Sequence, residues 1–122
     1  HELTHHGNDP KNLEELAKDD PIYMQHWSYF LDRLASIRDG DGTLLDHTML
    51  GFSSGMGIGH SKERLPTVLS GGSRLGVRHQ THLQLKEQTP LSSLWQTIIE
   101  RMGVEVEGPF QDSRGTIGEL LA

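Results

Sequence analysis

The sequence predicts an α/β protein with few short strands and three main helices. Three observations carry that prediction: two successive amphipathic patterns in the first third, two short apolar runs parted by a glycine-rich stretch in the middle, and one more amphipathic pattern near the end. The order is helix, helix, strand, strand, extended segment, helix.

Asn8 to Lys18 reads as the first helix, with Pro10 in its first turn and Leu13, Leu16 and Ala17 on one face. Asp20-Pro21 predicts a restart, with Asp20 as N-cap and Pro21 at the first helical position. Met24, Trp27, Phe30, Leu31 and Leu34 then recur at three- and four-residue spacing through Ile37, and Trp27 and Phe30 read as core residues. Arg38 to Thr43, "RDGDGT", is a turn. A short strand follows at Thr48 to Ser53, and "GMGIGH", Gly55 to His60, leaves its end as a tight loop. Polar ligands often bind beside such strand ends in α/β sheets. Glycines 55, 57 and 59 miss the dinucleotide pattern G-x-G-x-x-G. Leu65 to Gly72 predicts a second buried strand running into a turn, and Leu75 to Leu85 an extended segment. Pro90 opens the last helix, whose apolar stripe is Leu91, Leu94, Trp95, Ile98, Ile99 and Met102 and whose stop is Gly103. The tail from Val104 to Ala122 is poor in apolar residues and is expected to lie across a surface, anchored by Phe110 and Leu120.

The 122 residues suffice for one small domain, but 34% hydrophobic and 6% aromatic content make a lean core. With His1 in place of an initiating Met, this predicts that residues 1–122 are a single C-terminal piece of a larger α/β domain, whose upstream chain is its first partner. A few short strands leave open sheet edges, so the piece is not expected to fold well alone. The net charge of −6, with no basic stripe bearing interleaved aromatics, gives nucleic-acid binding no support. No apolar run approaches the ~20 residues that span a bilayer. Without cysteine, neither a disulfide nor a thiolate metal site can form.

Chemistry concentrates in the opening "HELTHHGNDP". His1, Glu2 and His5 match H-E-x-x-H, the zinc-peptidase helix, in which histidines four apart share a face and the glutamate acts as base. The rest of that signature is absent. Gly7 falls two residues after His5 instead of three, the position of the longer variant's last ligand is Lys11, and Gly7 to Pro10 stops any helix. A peptidase is therefore disfavoured. Asp39, Asp41 and Asp46 beside "GDGT" lack the acid spacing of a calcium loop, and a solvated turn is the better reading. Ser53 and Ser54 sit in no G-x-S-x-G elbow.

Read as H-x-x-T-H-H, the opening resembles the signature H-x-x-S-H-H that names a family of uncharacterised, usually exported bacterial proteins, with Thr4 keeping the serine hydroxyl. The resemblance runs in order through "HHGNDPKNLEELAK", "DGDGTLLDHTMLGFSSGMGIGH", "LPTVLSGG", Arg78-His79 and "TPLSSLWQTIIERMGVEVEGPFQDSRGTIGEL", nearly the whole chain. It implies export, to the periplasm or beyond, and a chain that is the C-terminal part of a longer protein. More distantly, "LLDHTMLGFSSGMG" and "PLSSLWQTIIERMGVEVEG" resemble stretches of alkaline-phosphatase-like enzymes and sulfatases. That likeness implies the C-terminal portion of a three-layer fold acting on a small anionic substrate, a phosphate or sulfate ester. Those enzymes hold metals with D-x-x-x-H, then Asp-His at a strand end, then a distal histidine. His1 and His5 take the first spacing here, and His79 or His82 stands for the distal ligand. Gly55-Met56 replaces Asp-His, so one metal site of the usual pair is lost, unless His60 compensates.

The expected site is thus one divalent transition metal, zinc first, on His1, His5 and His79. Such an ion makes water a nucleophile at neutral pH. His6 is the candidate catalytic residue, as hydrogen-bond donor or general acid, and Thr4 would orient a ring. His60 and His82 are additional candidates, whereas His26 and His47 read as structural. The competing reading has these histidines capping helix ends and bonding backbone carbonyls without a metal. It leaves a non-catalytic binding or structural module on a phosphatase-like scaffold.

Overall fold

The computed structural model describes residues 3–79, 82–85 and 89–122. After a short 3-10 helix at Leu3–His5, a single helix, α1, runs from Pro10 to Ala35. The Asp9 carboxylate caps it, accepting from Lys11 N–H at 2.8 Å and Asn12 N–H at 3.3 Å, with Pro10 at the first position. The expected restart at Asp20-Pro21 does not occur, so the described residues hold two main helices, not three. Pro21 lies inside α1. Its ring forfeits one bond to the Ala17 carbonyl, on an exposed part of the helix. No glycine between residues 10 and 35 offers the chain a place to reverse, so continuation is the path left.

Arg38–Asp39 (β1) and Gly42–Thr43 (β2) form a two-stranded hairpin over Gly40 and Asp41, which refines the expected turn. Met49–Ser53 (β3) pairs antiparallel with Thr67–Gly71 (β4), in register from Met49 opposite Gly71 to Ser53 opposite Thr67. These are the two predicted strands, trimmed by a residue or two at their ends. Gly71 turns the chain out of β4 at φ 74°, and a Cβ there would collide with the Thr48 carbonyl oxygen. After β4 come a 3-10 turn at Ser73–Leu75 and a bridge between Val77 and Leu121, and no strand of the expected extended segment forms among its described residues.

Adjacent β3 residues face opposite sides of the sheet. Phe52 meets Trp27 of α1 with ring centroids 5.3 Å apart. Gly51 lies against Trp95 of Leu91–Arg101 (α2). Each face of the small sheet thus meets one helix at a single ring, and Phe52 and Val68 stay exposed. Trp27, Leu31 and Leu34 are half-buried on the inner side of α1, while Met24 and Phe30 of the expected stripe stay exposed.

α2 departs most from expectation. Its buried residues are Ser92, Ser93, Leu94, Gln96 and Thr97, and Met102 of the apolar stripe is exposed. The tail is hydrogen-bonded to this polar face. Ser92 Oγ donates to Asp112 at 2.6 Å, Arg114 N–H to Ser93 Oγ at 3.0 Å, and Ile117 N–H to Thr97 Oγ1 at 2.9 Å. The buried tail residues are Ser113 and Ile117, and the expected anchors Phe110 and Leu120 are half-buried.

Among the described residues the buried apolar core is Val77, Leu94 and Ile117. The chain exposes 9178 Å², against roughly 6,600 Å² for a compact monomer of its mass. No helix among the described residues is long and apolar enough to cross a membrane.

Candidate histidine site

The Leu3–His5 turn and the Gly-rich loop between β3 and β4 come together. That loop carries a second 3-10 turn, Ile58–His60, and the His5 and His60 rings meet with centroids 5.0 Å apart and planes at 68°. Two imidazoles sharing one tetrahedral zinc at ~2.0–2.1 Å would have centroids roughly 5 Å apart. The separation fits.

A pocket of about 240 Å³ lies beside this pair, lined by Thr4, His5, His6, Gly7, Asn8 and Gly59. Both walls are left-handed pairs: Gly7 (φ 54°) with Asn8 (φ 64°), and Gly59 (φ 63°) with His60 (φ 61°). Left-handed backbone is unfavourable for side-chain-bearing residues, least so for Asn and His, and Gly supplies the other half of each turn. His6 is buried, and its Nδ1 accepts the Asn8 N–H at 2.9 Å. The Asp9 N–H donates to the His6 carbonyl at 2.8 Å. One tight turn thus holds the His6 ring, its carbonyl and the α1 cap together.

His79 lines a different pocket, of about 280 Å³, with Leu31, Leu45, Asp46, Ser70, Gly71 and Ser73. The fold brings His60, not His79, to His5. His82 is exposed in an irregular segment. His1 and Glu2 lie outside the described residues. Among the described residues no three His, Asp or Glu side chains gather as a metal set.

The acidic turn is internally paired. His47 lies between Asp39 (2.9 Å) and Asp41 (3.4 Å), and Arg74 lies 3.3 Å from Asp41. Asp46 accepts from Ser73 Oγ at 2.6 Å, from Thr43 Oγ1 at 2.7 Å and from Thr43 N–H at 2.8 Å. Those bonds hold its carboxyl at about 2, below the ordinary 3.8, with Ser73 the largest cause. These contacts give the three aspartates structural work, in line with the solvated-turn reading and against a calcium loop. Met56, where the phosphatase likeness would need a histidine, is exposed.

No family model, curated protein or solved structure matches the chain. Sequence reasoning did not reach Asn8 and Gly59 as pocket residues. The pairing of Gly with Asn and with His, residues tolerant of left-handed backbone, is the signal that marks both walls.

Proposed function

We propose that this chain is a metal-binding, hydrolase-like module that acts on a phosphate or sulfate ester, with a divalent transition metal, zinc by donor preference, held at His5 and His60. The observation that carries the reading is the approach of those two rings beside a pocket. Imidazole suits zinc, and His1, four residues before His5, belongs to the same proposal as a further ligand. A bound ion of this kind supplies Lewis acidity and activates water. The chain's own part is to bring together the Leu3–His5 turn and the left-handed Gly59-His60 pair, and to keep His6 at the pocket. The large exposed surface and the open edges of the β3–β4 sheet support a further reading, that more of the same polypeptide completes this scaffold.

A non-catalytic binding module is the second reading. Gly55-Met56 favours it, because neither residue replaces the Asp-His of an active two-metal hydrolase.

Zinc titration by calorimetry with the wild-type chain, His5→Ala, His60→Ala and His79→Ala tests the site. Wild type and His79→Ala bind one ion, and the other two variants lose about tenfold or more in affinity. Zinc binding that neither His5→Ala nor His60→Ala weakens overturns the site. Turnover of chromogenic phosphate and sulfate esters then separates the readings. Activity abolished by His5→Ala supports the hydrolase, and zinc binding without turnover supports the binding module.

A further inference from the structure

We infer that His47 is a pH-operated latch on the β1–β2 hairpin: as an imidazolium it fastens the hairpin through Asp39 and Asp41 at once, and as a neutral ring it lets Asp41 go. The latch uses no residue of the proposed metal site.

His47 follows β2 in the chain, and its ring lies against the turn that joins the two strands. A Cβ on Gly40 would stand 3.9 Å from its Cε1. Nδ1 is 2.9 Å from Asp39 Oδ2, and Nε2 is 3.4 Å from Asp41 Oδ1. Both ring nitrogens therefore face carboxylates, one from β1 and one from the tip of the hairpin. Only an imidazolium has an N–H on each nitrogen. A neutral ring keeps one N–H and turns a lone pair on the other aspartate. The shorter contact keeps the proton, so Asp41 is the partner released.

The surrounding charges sharpen the step. Arg74, from the Ser73–Leu75 turn, lies 3.3 Å from Asp41 Oδ2 and donates to the Asp41 carbonyl at 3.3 Å. Asp46, next to His47 in the chain, turns its carboxylate to Ser73 and Thr43 instead. With His47 charged, Asp39 and Asp41 meet two cations. With His47 neutral, one negative charge is left in excess, and Arg74 alone holds the tip. The hairpin has only two residue pairs, Arg38 opposite Thr43 and Asp39 opposite Gly42. A lone two-stranded hairpin is marginal, so it depends on such side-chain ties. The ring is 27% exposed and both aspartates are more open, which makes each contact weak. Release thus loosens the tip and leaves the rest of the chain folded.

Amide exchange followed by NMR tests the latch. Protection is read at residues 39–44 and divided by that of α2, which removes any change in global stability. As pH rises through the ordinary histidine range, around 6.5, hairpin protection in the wild type falls about two- to fivefold. The fall keeps step with the His47 ring signals. His47→Gln, which does not titrate, shows no such step. Asp41→Asn, which leaves no anion facing the lone pair, shrinks it, and this variant carries the test should His47→Gln fail to fold. A hairpin that keeps its protection while the ring titrates overturns the latch. So does a step of wild-type size in either variant.

Discussion

Trp95 occupies the space that a side chain on Gly51 would need: a Cβ there would stand 3.2 Å from Cη2 of the indole. Glycine at the centre of a strand weakens it, and here the absence of a side chain lets α2 approach the sheet. Gly51→Ala should therefore destabilise, by about 1–3 kcal/mol, because a rigid ring and not a flexible chain end must give way. Urea denaturation of the two proteins measures it, and an unchanged midpoint would show that α2 does not rest on β3 in this way.

The opposite face makes a different prediction. Trp27 packs on Phe52, but its buried Nε1 finds no hydrogen-bond partner among the described residues. An unsatisfied buried donor costs about 1–3 kcal/mol, comparable to the packing lost when indole becomes phenyl. Trp27→Phe should change stability by less than about 1 kcal/mol, whereas Trp27→Ala, which loses the ring against Phe52, should cost clearly more. Equal losses in the two variants would mean that the indole N–H contributes to stability after all.

These two contacts also show what was legible beforehand. The apolar runs of β3 and β4 and the helical period of α2 are legible in the sequence, with ends within a residue or two, although the face that α2 buries is not its apolar stripe. Pro21 misled because a proline after aspartate has two readings, helix start or helix interior, and only the missing chain reversal decides between them. Ser92, Ser93, Gln96 and Thr97 look like a solvated face, since a polar residue carries no local sign that a tail will cover it. The site was half legible. His5 and His6 stand out by spacing, but the meeting of His5 with His60 depends on the β3–β4 pairing that returns a distant loop to the amino-terminal turn. His79 resembles a distal ligand by its place in the sequence, and the fold puts it in a pocket with Asp46 instead.

Thr97 links α2 to the tail through one hydroxyl. It donates to the Ser93 carbonyl at 2.7 Å and accepts the Ile117 N–H at 2.9 Å, all buried. Thr97→Val keeps the shape and removes the acceptor, leaving the Ile117 N–H dry and unpaired. A loss of about 1–3 kcal/mol is expected. Amide exchange at Ile117 should accelerate more than exchange within β3. If both speed up equally, the variant has lowered global stability without freeing the tail, and the proposed link is wrong.

Asp46 sets the acid limit of the loop between β2 and β3. Its carboxyl is held at about 2 chiefly by the Ser73 hydroxyl and then by Thr43, so folding favours the ionised form relative to the unfolded chain, where the value is 3.8. The sign follows from linkage. A carboxyl depressed in the folded state contributes stability above the unfolded value, and that contribution is lost as pH falls from about 4 through about 2. Asp46→Asn should lower the thermal midpoint at neutral pH, because an amide cannot accept from Ser73 and Thr43 on both sides. The gap between wild type and variant should then close as pH falls through this window, the other acidic groups cancelling in the difference. A gap that stays constant down to the lowest pH would show that the two hydroxyls do not depend on the charge at Asp46, and that the loop is held by Arg74 and the hairpin instead.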